Sequence, residues 1–413
     1  MSNKHVMEGF RVLDFTQVVA GPTATRLMAE MGAEIIKVEL APMGDMTRTL
    51  PVNIGGRSSY FIQQNRGKKS LCINPKTEKG KSILEQLITK CDVLIENYAA
   101  GVIGRMGLGY DRVKEINPSI VMCSISGFGQ TGPLSNKPGY DFIAAAYAGV
   151  LDNIGYPDGP PLFPQLAIGD ATTGVHALAA INAALLYRER TGEGQHLDIS
   201  LLDSYYHQHE ISVQLHSATK GAFVPKRAGH HHFMLHPLGI FKGKGDEEYY
   251  SVMITPPQWG AFCKFLGKPE YADDPRFVDN EARMENHQAV IDFIEDWLCA
   301  QPSREVILEK FEEARFAIGP VLTVPETMKH PHFIERRTIR TVSDRCLGEL
   351  EIPGMPLRFS KFTEELPLET PFLGEHNSEV LGELLSMTPQ DVEALTEEGV
   401  LHSDLTGETT PQI

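Results

Sequence analysis

Residues 164–174 read PQLAIGDATTG, and Asp170 is the one charged residue in that stretch. It stands between an apolar run and ATTGVHALAAINAALLYRER, whose spacing predicts a helix over 171–190. Two roles fit a carboxylate there. As a helix N-cap, its oxygens accept the orphan amide hydrogens of the first turn. The helix dipole and those amides also keep it ionised. An ionised carboxylate is a nucleophile towards an activated acyl group. Gly169 before it leaves room for a substrate to approach.

Other stretches compete for attention. GFGQTG (127–132) spells a dinucleotide fingerprint after a strand-like run, but Pro133 and LSNKPG follow as loop where the fingerprint needs a helix. Close approach of backbone to a ligand is the use its glycines suggest. HHHFMLH (230–236) has no Asp, Glu or Cys at metal spacing, so it reads as a polar loop, with an active-site lining as the alternative and no metal expected. NRGKKS (65–70) gathers positive charge, either as a solvated turn or as a phosphate site. ENYAAGVIGRMG (96–107) sets Asn97 and Arg105 just past a strand's carboxyl end, where open α/β sheets bind ligands. The sequence has no G-x-S-x-G elbow, P-loop or H-E-x-x-H.

The elements that must position these residues alternate in period. Strand-like runs at 9–16, 33–40, 92–97 and 119–126 alternate with helical spacing at 23–32 and 79–90, which predicts a mostly parallel sheet covered on both faces. Further helices are expected over 140–151, 171–190 and 201–219. After residue 222 the texture changes to a loop-rich start and charged helices at 287–300 and 303–314, which reads as a smaller α+β unit. The tail from 335 is expected to return to the first unit, and residues 402–413 to be loosely ordered. The chain has 413 residues, which favours two domains, and a formal net charge of −16, which argues against nucleic acid and anionic membranes as partners. No apolar run is long enough to span a bilayer, and the first residues lack the apolar core of a secretory signal. Six scattered cysteines without CxxC predict reduced thiols, and a cytoplasmic location is the expectation.

Taken in order, LDFTQVVAGP (13–22), GAEIIKVE (32–39), GDMTR (44–48), DVLIENYAAGVIGRMGLGY (92–110), SGFGQTGP (126–133), GYDFIAAAYAG (139–149), the long stretch IGDATTG through SLLD (168–203), IGPVLTVPE (318–326) and LGEHNSEVL (373–381) resemble the family III CoA-transferases. The resemblance runs along nearly the whole chain. It implies an α/β fold: a Rossmann-like large domain (1–222 and 335–413) plus a smaller α+β domain (223–334), in a ring-shaped chain that forms an interlocked homodimer. It implies that Asp170 is the catalytic aspartate, carrying CoA as an aspartyl-CoA thioester between an acyl-CoA donor and a carboxylic acid acceptor. No cofactor beyond CoA as substrate, no ATP and no metal are then required.

The same resemblance assigns CoA to Val19, Ala20, Leu40, Ile73, Asn74, Lys76, Asn97, Tyr98, Arg105 and the region of Pro138–Tyr140. The sequence departs from the formyl-CoA transferase pattern, which has glutamine where Val19 stands, arginine where Leu40 stands, and four glycines roughly where AGHHHFMLHPLG (228–239) lies. With succinyl-CoA as a donor, Arg227, His230, His231 and His232 are candidates to meet a distal carboxylate. Nearby glycine-rich loops are expected to supply amides to developing oxyanions. Two alternatives remain. An α-methylacyl-CoA racemase would place a histidine where Tyr140 stands, and a phenol is a poor base near neutral pH. A non-catalytic acyl-CoA-binding relative would have no need of Asp170.

Overall fold

The structure, a computed structural model, describes residues 5–406. Its central sheet has strands β1 (Arg11–Asp14), β2 (Glu34–Leu40), β3 (Lys68–Ile73), β4 (Val93–Glu96), β5 (Val121–Ser126) and β6 (Gln195–Ser200). They run parallel in the order β3-β2-β1-β4-β5-β6. That is the doubly wound order, with its reversal between β1 and β4. The runs VLIE and VMCSIS are buried throughout, as expected where helices cover both faces.

The crossovers include α1 (Ala20–Glu30), α2 (Ser59–Asn65), α3 (Glu78–Ile88), α4 (Tyr110–Ile116), α5 (Asp141–Tyr147), α6 (Ile168–Thr191) and α7 (Leu201–Tyr206). Local chemistry sets their ends. Ser58, Thr77 and Ser200 cap α2, α3 and α7 through their hydroxyls. Gly192, at φ 78°, closes α6. The helix expected over 201–219 is broken: α8 (Ser212–Ala218) starts afresh where the chain leaves one compact unit for the other.

The first compact unit takes residues up to Ala148, then Gln165–Gln208 and everything from Pro331. The second takes Gly149–Pro164 and His209–His330. The boundary thus lies at 208/209 rather than at 222, and 149–164 joins the second unit. The reason is local: Asp152 pairs with Arg227 at 2.6 Å, the Gly229 amide donates to the Gly155 carbonyl, and the Tyr156 hydroxyl meets His230 Nε2 at 2.8 Å. The second unit is an α+β body. A three-stranded antiparallel sheet of β7 (Leu238–Lys242), β8 (Tyr249–Met253) and β9 (Ala317–Pro320) packs aromatic side chains against α9 (Trp259–Phe265), α10 (His287–Cys299) and α11 (Arg304–Ala314). In the first unit, α12 (Asn377–Leu385) and α13 (Pro389–Glu397) bring the tail back onto β3. There the Asn74 amide donates to Val400, and the His402 amide to Cys72. The expectation of loose order past 402 meets described structure up to Thr406; the rest lies outside the described residues.

Charge is buried beneath the carboxyl ends of β1–β3. Lys68 pairs with Asp14 at 3.0 Å, and Lys37 with Asp45 at 2.8 Å, with side-chain exposures of 0–1%. Arg48 grips Glu39 through two nitrogens, and Ser70 donates to the same carboxylate. NRGKKS is therefore neither a solvated turn nor an open phosphate site. Arg66 bonds Glu30, Lys68 bonds Asp14, and Lys69 reaches Glu34 and Glu379. Removing one partner of a buried pair leaves the other charge stranded at a cost of about 3–5 kcal/mol. Asp14→Ala should lose stability of that order in urea unfolding, whereas a surface control, Lys79→Ala on its exposed pair with Glu398, should change it by less than about 1 kcal/mol.

Candidate active site

Asp170 is the third residue of α6, which starts at Ile168 with Ala167 at the N-cap and no capping side chain. The expected N-cap role therefore does not hold. The capping comes from a distant carboxylate. Asp141, at the start of α5, accepts the Asp170 amide at 2.8 Å across 29 residues of sequence. Asp141 also accepts the hydroxyl of Tyr205 on α7, and it is 4% exposed. Three helices thus converge on one carboxylate.

Small residues make that convergence possible. A Cβ on Gly169 would lie 2.0 Å from the Tyr205 ring, so this glycine makes room for Tyr205 rather than for a substrate. Gly127 and Gly139 press their backbones together, each Cβ position within 3 Å of the other's Cα. The GFGQTG loop is used for this contact, which sets the approach to Tyr140 and Asp141. Two of its amides are already engaged: Gly129 donates to Ser126 Oγ and Gln130 to the Asp198 carboxylate. One helical turn after Asp170, Gly174 faces Ala20, where a Cβ would meet the Ala20 carbonyl at 2.5 Å. The start of α6 therefore lies beside the start of α1, at the carboxyl side of the sheet.

The electrostatics overturn a second expectation. Burial, with the nearby Asp141 carboxylate, raises the Asp170 carboxyl to about 7. Desolvation outweighs the helix dipole, so near neutrality the group is shared between acid and carboxylate. In turn Asp170, after burial itself, helps hold the Tyr60 phenol above its ordinary value, which places α2 beside the site.

Of the other expected residues, Val19, Ala20, Asn97 and Tyr98 lie on the segments that follow β1 and β4, at the reversal of strand order. Asn97 is fastened to the β1 loop in both directions: the Gln17 amide donates to Asn97 Oδ1, and Asn97 Nδ2 to the Gln17 carbonyl, each at 2.7 Å. Val18, which follows Gln17, has φ 65°, a strained setting for a β-branched residue. Val19 and Ala20 follow, both buried, at the start of α1; Leu40 ends β2 half-buried. Ile73 is fully buried and its carbonyl accepts Ala41, so it belongs to the core. Asn74 and Tyr98 are half-buried, while Lys76 and Arg105 are exposed at the same end, as is Tyr140 at 75%.

A sequence model of CoA-transferase family III matches residues 7–377. The chain belongs to that family. A formyl-CoA:oxalate CoA-transferase from Streptomyces avermitilis is 36% identical, covering 96% of this chain and 99% of the relative. A human succinyl-CoA:glutarate CoA-transferase is 34% identical, covering 97% and 91%. The crystal structure of a CAIB/BAIF family protein from Brucella suis superposes with a TM-score of 0.80 at 32% identity, covering 92% of this chain and all of the other. The chain is thus a family III CoA-transferase, an enzyme on a mixed α/β fold.

In the second unit, His230, His231, His232, His236 and His287 line one cavity with Tyr156 and Phe233. Burial, helped by neighbouring imidazoles, lowers His231 to about 4 and His236 to about 3, so neither carries charge near neutrality. Arg227 is already paired with Asp152. Of the groups expected to meet a distal carboxylate, His231 is therefore uncharged near neutrality and Arg227 is already engaged. Among the described residues no cluster of His, Cys, Asp and Glu has a metal-holding arrangement, and no helix is long and apolar enough to cross a membrane.

Sequence reasoning passed over Asp141 and Tyr205. Asp141 lies in the quoted GYDFI stretch, but no local pattern pairs it with Asp170; Tyr205 carried no signal. Because the folded Asp170 carboxyl sits above its usual value, the protonated form is the stabilised one. Its contribution is full below pH of about 4 and is lost as pH rises through about 7. Carboxyl titration followed by difference infrared spectroscopy should give a component with a midpoint near 7 that Asp170→Asn removes, leaving the signal of the buried Glu96 carboxyl, also near 7. Asp141→Asn, which removes the neighbouring charge, should lower the Asp170 midpoint by about 1 unit. An Asp170 midpoint near 4 in the wild type would contradict this electrostatic account.

Proposed function

We propose that the enzyme moves CoA from an acyl-CoA donor to a free carboxylic acid through an aspartyl-CoA thioester on Asp170. The observation that carries this reading is a carboxyl fixed by its own backbone to Asp141, beside the α1 start that flanks the β1/β4 crevice. In its ionised form Asp170 attacks the donor thioester carbonyl and expels CoA as thiolate, which leaves a mixed anhydride of Asp170 and the donor acid. The thiolate attacks the aspartyl carbonyl, which forms the aspartyl-CoA thioester and frees the donor acid. The acceptor carboxylate attacks that thioester and expels the thiolate again. CoA then bonds to the acceptor's acyl carbon and Asp170 returns as a carboxylate. The thioester bond is exchanged rather than hydrolysed, so the cycle needs no ATP and no metal. With the carboxyl near 7, about half of it is nucleophilic at neutral pH, and the reactive fraction rises with pH.

CoA is proposed to lie along the crevice past Val19, Ala20, Leu40, Asn74 and Tyr98, with the exposed Lys76 and Arg105 towards its phosphates and Tyr140 beside the acyl end. The names of the relatives, oxalate and glutarate enzymes, support a small dicarboxylate as one of the acids. A racemase has one point in its favour, a carboxyl near neutrality suited to proton transfer; α-deuterium exchange from heavy water without CoA transfer would favour it.

A homodimer is also proposed. The outward face of α6 carries Ala171, Val175, Ala179 and Ala183 at helical spacing, all exposed in the single chain, and Leu166 nearby is 70% exposed. Small side chains let helices approach closely, and a contiguous apolar patch marks an interface. A second copy fits, because the face is continuous with the site helix. Analytical ultracentrifugation should give twice the 45.7 kDa chain mass, and Ala179→Glu should shift the enzyme towards monomer with loss of activity. For the chemistry, turnover with an acceptor carrying oxygen-18 in its carboxylate should leave the label in the peptide that contains Asp170. Label absent after many turnovers would contradict the anhydride route.

A further inference from the structure

Glu96 ends β4 directly beneath the loop that carries Asn97 and Tyr98, and it is 1% exposed. Its Oε2 accepts the Tyr98 amide at 2.8 Å. The strand register sets Ser124 of β5 opposite it, and the Ser124 hydroxyl hydrogen-bonds the carboxyl. Ser124 Oγ is in turn 3.0 Å from His196 Nε2 on the edge strand β6. The half-buried imidazole stacks on Tyr110 at 5.0 Å. A continuous polar chain thus crosses three strands, from the proposed CoA loop to the rim of the sheet.

A serine hydroxyl has one hydrogen, and neutral imidazole has one donor and one acceptor nitrogen. These counts couple the ends of the chain. When Glu96 is protonated it donates to Ser124, which donates to His196 Nε2, and the imidazole hydrogen sits on Nδ1. When Glu96 is ionised, Ser124 donates to it, and His196 Nε2 must carry the hydrogen that Ser124 Oγ accepts. The proton lost overall is the one from Nδ1. Burial, opposed by the bonds from Ser124 and Tyr98 and aided by Asp198, lifts the Glu96 carboxyl to about 7, so both states fall in the working range. The surrounding titratable groups are Asp198 and His196 on β6, Cys123 on β5 and Tyr98 on the loop; on β1, Asp14 faces Ile95 and is paired with Lys68.

We propose that Glu96 is a positioning residue whose proton, exchanged through Ser124 and His196, governs how the Asn97–Tyr98 loop is held for CoA. This rests on the placement of CoA at that loop. Gln at position 96 copies the protonated carboxyl, with a carbonyl for the Tyr98 amide and an N–H for Ser124, whereas Ala copies neither state.

The test is CoA titration by calorimetry at pH 6 and pH 8 with wild type, Glu96→Gln and Glu96→Ala, together with amide exchange at Tyr98 in the free proteins. The ratio of wild-type to Gln Kd cancels the titration of CoA's own phosphate. That ratio should fall about threefold from pH 6 to pH 8, because the ionised carboxylate holds the Tyr98 amide by a charge-assisted bond that the Gln carbonyl does not supply. Tyr98 exchange should quicken about tenfold in the Ala variant and be restored in the Gln variant. A ratio flat with pH, or unchanged Tyr98 exchange in the Ala variant, overturns the proposal. An Asn97→Ala variant that binds CoA like wild type would instead overturn the placement of CoA; Tyr98 exchange would still judge the positioning role.

Discussion

The carboxylate of Asp141 receives two donors at once, the backbone amide of Asp170 and the hydroxyl of Tyr205, and the candidate active site is arranged around that fact. A helix start leaves amides without partners. Here one of them is satisfied from another helix, so the first turn of α6 is held in space rather than merely capped. The cost is electrostatic. Two carboxyl groups stand close together in a half-buried place, and the one without its own donors, Asp170, is pushed towards its acid form. Stability is given up at the residue proposed to react, a common arrangement at functional sites.

What keeps this arrangement rigid lies beneath it. The pairs Asp14–Lys68 and Lys37–Asp45 and the Arg48–Glu39 fork fill the space under the carboxyl ends of β1–β3 with matched charges. Such pairs add less net stability than an apolar core, but each charge fixes the place of its partner. The loops above them can therefore carry strain, as Val18 does. Asn97 bridges from β4 to the strained segment, and Glu96 holds the residue after Asn97. The crevice is thus fastened from both of its walls.

Much of the fold was legible in the sequence, and the limits were physical. Apolar runs such as VLIE and VMCSIS read as buried parallel strands because nothing else hides every side chain of a short run. The long helix behind Asp170 was plain, but its start was misplaced, because the partner of that first turn lies 29 residues upstream. NRGKKS looked like a surface cluster because Asp14, Glu30 and Glu34 come near it only when β1, α1 and β2 fold beside β3. Gly169 and Tyr205 shape each other, and neither is informative alone. The His-rich loop suggested charge, yet burial silences His231 and His236, an outcome that depends on neighbours rather than on residue type. Residue type and position singled out Asp170; the family resemblance supplied the role expected of it, which periodicity could not.

The central claim is a covalent one. The direct measurement is rapid-quench mass spectrometry of the enzyme mixed with succinyl-CoA and no acceptor, with peptide mapping. The account predicts a CoA thioester on the peptide containing Asp170, formed with release of succinate and discharged when an acceptor acid is added. CoA transfer that proceeds with no adduct on that peptide, or with the adduct on another residue, would contradict it.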